Sequence, residues 1–276
     1  MTAAVSIDRP RSKLTPKAAL DAAAKFWWGV AFVGQLLFLD YILVFYFPST
    51  LTGNFKLWAL NTSLFKGYVP GDTPGNLAFG AHVLLAGVVT FAGTLQLVPR
   101  IRARAPAVHR WIGRAFLVTA MGGSLAGLYM TWARLPQGLL GEIAISIDAA
   151  MIFAFGGLAW RTALKRDFAS HRRWALRAFL VANAVWFMRV GFAPVGILFK
   201  LIHAPHGWMT SFYHVWSFGS YLLPLAILEL YFLARERGSD GARYAMAGGL
   251  GVLTVLMGVG VVGTWFGFFA PILSKL

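Results

Sequence analysis

Two groups of ionisable residues in this 276-residue sequence have the types and spacing to do chemistry. Asp40, His82, Asp148 and Arg189 each lie inside a long apolar run, where an ionisable side chain is costly and marks a functional site unless a partner explains it. The second group sits in two similar segments, His109-Arg-Trp-Ile-Gly-Arg114 and His171-Arg-Arg-Trp-Ala-Leu-Arg177. With His214 these give two imidazole pairs at two depths, His82 with His214 and His109 with His171. Facing imidazoles can ligate the iron of haem b from both sides, and two haems stacked across a bilayer would carry electrons through it. Arg110, Arg114, Arg172, Arg173 and Arg177 form a collar whose guanidinium forks suit haem propionates or lipid phosphates, as do the helix amino termini they flank. The first group also suits a proton or a small ligand, with Arg189 neutralising Asp40 or Asp148. His203-Ala-Pro-His206 could complete a zinc or copper site with one of those aspartates, a solvated turn being the competing reading. There is no cysteine, so any metal site must use His and carboxylates.

The elements that hold these residues are membrane helices. Hydrophobic residues make up 58% of the chain and charged ones 13%, and the mean hydropathy is +0.65, too apolar to coat a water-soluble globule of this size. Seven runs approach or exceed the ~20 residues a helix needs to cross the hydrocarbon core. They are residues 26–47, 77–98, 115–132, 143–160, 178–199, 212–234 and 244–269. Continuous rather than alternating hydrophobicity predicts helices and excludes a barrel, so the expected fold is an all-α integral membrane bundle of seven transmembrane helices. The chain reads as one membrane domain over 1–276, with a basic segment at 1–25 and a long outer loop at 48–76. That first segment lacks the apolar run and cleavage site of a removable signal peptide. Thr15 followed by Pro16 predicts a helix start, a capping hydroxyl and then a ring suited to the first turn.

The formal charge of +15 is explained by placement. Of 25 Lys and Arg, 19 fall in alternate segments, before the first span, at 100–114, at 161–177 and at 235–243, whereas the other side has Lys56, Lys66, Arg134, Lys200 and Lys275. The positive-inside rule then puts the amino terminus in the cytoplasm and the carboxyl terminus in the periplasm. A basic face of this kind meets anionic lipid headgroups, and no nucleic-acid partner is implied. The sequence has no phosphate-binding glycine loop, no H-E-x-x-H helix and no G-x-S-x-G elbow.

The His109 and His171 segments differ by one inserted residue, which fits either a repeat of spans two and three as spans four and five or convergent use of basic, Trp-anchored helix starts. The order of His82, the Pro106–Arg114 segment, His171-Arg-Arg-Trp-x-x-Arg177 and Arg189 ahead of Pro194 resembles a family of multi-pass bacterial membrane proteins, domain of unknown function 2306, over roughly residues 75–200. The resemblance implies a bacterial inner-membrane protein and supplies no activity. More remotely, small residues four or five places after each histidine (Ala86 and Gly87, Gly113, Ala175, Gly219) give a likeness to transmembrane b-type cytochromes, in which they would make room for a porphyrin. Three functions stand open: haem-b electron transfer with a quinone or another small redox partner, proton-coupled transport, and non-catalytic binding of a lipid or small molecule.

Overall fold

The computed structural model describes residues 14–61, 67–134, 138–205 and 207–276, and every regular element in them is helical. Among the described residues, seven helices are long and apolar enough to cross a membrane, in line with the all-α bundle expected. His206, Lys66 and the first thirteen residues lie outside the described residues.

Local chemistry sets the helix starts. Helix α1 (Pro16–Tyr41) begins where Thr15 Oγ1 accepts a hydrogen bond from the Ala18 amide and Pro16 occupies the first turn. It continues through a π-helical turn (Ile42–Tyr46) into α2 (Phe47–Leu51), so the first spanning helix runs from Pro16 to Leu51. The chain then folds back through a 3₁₀ turn (Phe55–Leu60) that drives Trp58 into full burial against Tyr46 and Phe79. There Trp58 Nε1 donates to Ser49 Oγ at 2.7 Å, satisfying the one polar atom the burial would have left unpaired. The segment expected as an outer loop is thus partly helix and partly a plug on the bundle.

Helix α3 (Thr73–Gln96) is capped by Asp72 and leads through the short basic helix α4 (Pro99–Arg104) to α5 (Pro106–Tyr129) with its π-helical extension Met130–Arg134. Helix α6 (Leu139–Leu164) follows. The fifth span is divided at Asn183 into α7 (Phe168–Ala182) and α8 (Ala184–Leu201), and α9 (Gly207–Arg237), α10 (Asp240–Thr264) and α11 (Ala270–Leu273) complete the chain. Tyr244 Oη donating to the Leu14 carbonyl, and Arg235 pairing with Asp21, gather the starts of α1 and α10 and the end of α9 at one face. We call this the amino-terminal face.

The tightest packing is between α3 and α5, between α6 and α7, and between α1 and α10. The two hairpins, α3–α5 and α6–α7, meet where Phe116 and Phe179 pack with ring centroids 6.4 Å apart. These phenylalanines occupy matching positions, seven residues after His109 and eight after His171, as a repeat with one inserted residue requires. Gly93 permits the contact, because a side chain there would meet both rings.

Candidate functional site

A cavity of about 230 Å³ lies within the bundle, walled by α1, α3, α5, α6, the α7–α8 junction and the end of the last span. Its walls are mainly apolar, and three of the four intramembrane groups singled out in the sequence, His82, Asp148 and Arg189, border it. All three lie far from water. At a rise of ~1.5 Å per residue, His82 and Asp148 are each about 14 Å along their helices from the ends opposite the amino-terminal face, and Arg189 about 18 Å.

Asp40 is not part of this group. Phe38, Tyr41, Ile42 and Tyr46 line the cavity, and at about 100° per residue the position between Phe38 and Tyr41 is turned away from it, so Asp40 is exposed on the far side of α1. His214 is also elsewhere, because α9 contributes nothing to the cavity wall. The structure therefore does not bring His214 to His82 inside the cavity. His203 is exposed beyond the end of α8, and among the described residues no group of three or more His, Asp or Glu is placed to hold a metal ion.

Arg189 is held by its own helix and by α10. Its Nη1 donates to the Val185 carbonyl at 3.0 Å, its guanidinium lies 5.3 Å from the centre of the Phe38 ring, and its backbone carbonyl accepts from Thr264 Oγ1 at 3.1 Å. One turn on, Pro194 cannot donate to the Val190 carbonyl as an ordinary residue would. That carbonyl instead faces Gly260, whose lack of a side chain lets α10 approach; a Cβ there would be 2.2 Å from the oxygen. Among the described residues Arg189 pairs with no carboxylate, so the expected neutralisation of Asp40 or Asp148 does not occur. Asp148 correspondingly keeps a buried Oδ1 with no hydrogen-bond partner among the described residues.

The other polar atoms of the cavity are fixed. His82 Nδ1 is 2.8 Å from the Gly123 carbonyl; the carbonyl can only accept, so Nδ1 carries the hydrogen and Nε2 keeps its lone pair. Asn61, delivered by the folded-back segment, donates to the hydroxyls of Tyr41 at 3.2 Å and Tyr46 at 2.7 Å. Asn183 borders the cavity at the break in span five, where its Oδ1 accepts from Gln35 Nε2 at 2.9 Å and its own Nδ2 donates to the Phe179 carbonyl. Sequence reasoning passed over Tyr41, Tyr46, Asn61, Gln35 and Asn183 because none is ionised near neutrality. The glutamine and asparagine were nevertheless visible as amides inside apolar runs.

At the amino-terminal face the collar separates into two parts. Arg177 forms a forked pair with Glu229 through Nε and Nη2, while Arg173 donates from Nη1 to both Glu236 oxygens, the shortest contacts being 2.7 Å in each, and both guanidinium groups lie over Phe232. Those two arginines tie α7 to α9. Arg110, Arg114 and Arg172 have no carboxylate partner among the described residues, although Arg114 stacks on Trp111. His171 Nδ1 donates to the Ala159 carbonyl at 2.9 Å, while His109 Nδ1 is buried without a partner among the described residues.

The opposite face holds a residue that the sequence showed only as a stray positive charge. Arg134 is buried, donates to Asp72 Oδ2 at 2.6 Å and to the Gly67 carbonyl at 3.1 Å, and also contacts Asn76. It locks the end of span three to the start of span two. Its guanidinium and the Gly75 amide hold the Asp72 carboxyl below its ordinary range.

A family model described as predicted membrane protein (DUF2306) matches residues 79–232, more than half of the chain. The chain belongs to that family. The matched region takes in His82, Asp148, Arg189 and both His-Arg segments, and leaves out α1 with Asp40, Tyr41 and Tyr46. The family description gives no activity, and no curated protein or solved structure matches the chain.

Proposed function

We propose that this membrane protein binds a small lipophilic molecule with a carbonyl or hydroxyl head, of the quinone class, in the cavity between its spans. The observation that carries the reading is that Arg189 and Asp148 border one apolar-walled cavity and that neither has an opposite charge as partner among the described residues. Ionisable groups buried among apolar walls are costly unless something satisfies them, and here a ligand does so. A carbonyl oxygen accepts from the guanidinium of Arg189, and a hydroxyl donates to Asp148 Oδ1 or His82 Nε2. Size agrees: a dry cavity of about 150 Å³ holds benzene, so about 230 Å³ accommodates a substituted ring. The walls supplied by Phe38, Trp186 and Phe268 suit its faces. Positive-inside asymmetry supports a bacterial inner-membrane location with the amino terminus in the cytoplasm.

The test uses Trp186 as a reporter at the cavity wall. A short-tailed benzoquinone titrated into the purified protein in lipid nanodiscs quenches tryptophan emission saturably. In Arg189→Gln and Asp148→Asn the half-saturation concentration rises at least roughly ten-fold, the value of one lost charge-assisted hydrogen bond. Unchanged half-saturation in both variants, with unaltered thermal midpoints, sinks the proposal.

Binding of haem b is the second reading, with electron exchange to a quinone. What favours it is that His82 and His171 each spend Nδ1 on a backbone carbonyl and so leave Nε2 available, the arrangement metal-ligating histidines use. Against it, His82 is the only one of the four candidate ligands His82, His109, His171 and His214 that lines the cavity. A dithionite-reduced spectrum of protein from haem-replete cells decides: a Soret band lost in His82→Ala supports haem, and a colourless preparation removes it.

A further inference from the structure

The amino-terminal face carries its positive charge unevenly. Five described carboxylates belong to it, and all are occupied: Asp21 pairs with Arg235, Glu229 with Arg177, Glu236 with Arg173, and Asp240 with Arg243. The fifth, Asp167, accepts from the Ser170 amide at 3.1 Å to cap α7, and those local hydrogen bonds hold its carboxyl below the ordinary range. The ion pairs lie along α1, α7, α9 and α10. None reaches the α4–α5 corner, where Arg100, Arg102, Arg104, Arg110 and Arg114 have no acidic partner among the described residues.

At that corner the two halves of the repeat converge. Arg102, Arg110 and His171 all lie close enough to His109 to act on its ring electrostatically, and no carboxylate acts on it. Two guanidinium groups without carboxylate partners and a second imidazole around one ring make a cationic cluster to which an anion can supply the opposite charge. The buried, unpartnered Nδ1 of His109 is a second sign of a missing hydrogen-bond partner. We infer that His109, His171, Arg102 and Arg110 form a phosphate site for the headgroup of an anionic phospholipid. The lipid source follows from the apolar side chains exposed beside it: Val108 and Trp111 on α5 at 49% and 68%, and Leu164 at the end of α6 at 72%, suit acyl chains next to a headgroup. The ion-paired half of the collar is set apart from this role, because Arg173 and Arg177 already have carboxylate partners.

The experiment reconstitutes the full chain in phosphatidylcholine vesicles containing a minor share of phosphatidylglycerol, re-extracts it in mild detergent and counts retained lipids by native mass spectrometry. Wild type is enriched in phosphatidylglycerol. Each of Arg102→Gln and Arg110→Gln lowers the enrichment roughly five-fold, the value of one arginine at an anionic surface. The Arg→Lys replacements retain most of it, and the paired control Arg173→Gln with Glu236→Gln leaves it unchanged. Arg102 is exposed on α4, so its variant folds whatever happens at His109. Equal enrichment in wild type and the Arg102→Gln, Arg110→Gln double variant overturns the proposal. Loss of the bound lipid to millimolar inorganic phosphate overturns the lipid assignment in favour of a free anion.

Discussion

Gln35 and Asn183, 148 residues apart in the chain, are joined within the bundle by a hydrogen bond of 2.9 Å from the Gln35 amide to Asn183 Oδ1. Both side chains are almost fully buried, and the bond ties α1 to the point where span five breaks. Interhelical hydrogen bonds in membranes contribute modestly, about 0.6 kcal/mol on average and up to about 1.7 kcal/mol. Asn183→Leu removes this one and also the bond to the Phe179 carbonyl, leaving the Gln35 amide without any partner. The expected loss is about 1–2 kcal/mol in thermal or denaturant unfolding, and the double variant with Gln35→Leu loses less than the two single changes added together. Additive losses would show that the pair does not act as a unit.

Close approach of α8 and α10 rests on Gly260. Any Cβ there meets the Val190 carbonyl freed by Pro194, backbone that cannot step aside, so Gly260→Ala costs about 1–3 kcal/mol as an overpacked contact. Gly251, on the same helix, has open space around it; Gly251→Ala gains up to about 1 kcal/mol through helix propensity. The two variants therefore move the unfolding midpoint in opposite directions.

The seven spans were legible because hydrophobic length leaves few alternatives, but the facing of side chains was not. Asp40 shows why: on α1 both the cavity face and the exposed face are apolar, so nothing in the pattern told which way the aspartate points. His82, Asp148 and Arg189 were found by charge alone, whereas their failure to pair depends on distances between helices that no local signal encodes. Arg134 and Asp72 are 62 residues apart, and the sequence singles out only Arg134, as one of the few basic residues on its side. The likeness of the two His-Arg segments was readable, whereas the contact between Phe116 and Phe179, which follow them, was not.

The Asp72–Arg134 pair gives the opposite face a defined response to acid. The Asp72 carboxyl is held below its ordinary range, chiefly by the Arg134 guanidinium, so the folded state binds its proton less readily than the unfolded chain does. Its stabilising contribution is complete above the unfolded carboxylate range, about 4, and is lost as pH falls through the lower folded value. Wild type therefore loses stability below about pH 4 at this site, and Asp72→Asn, already lacking the charge, loses less over the same interval. Parallel unfolding midpoints for the two proteins between pH 5 and pH 3 would count against the pair.

Asp148 gives the sharpest contrast between stability and function. Its buried Oδ1 has no partner, and a polar atom in that state costs about 1–3 kcal/mol. Ala149 and Ile152 beside it are apolar, so a leucine fits the chemistry of the wall better than the carboxylate does. Asp148→Leu is therefore expected to raise the unfolding midpoint of the ligand-free protein while abolishing saturable quinone quenching. A residue whose removal stabilises the fold is retained for another reason. If Asp148→Leu instead destabilises the empty protein, the carboxylate is holding the bundle together, and its place in the ligand site loses its main support.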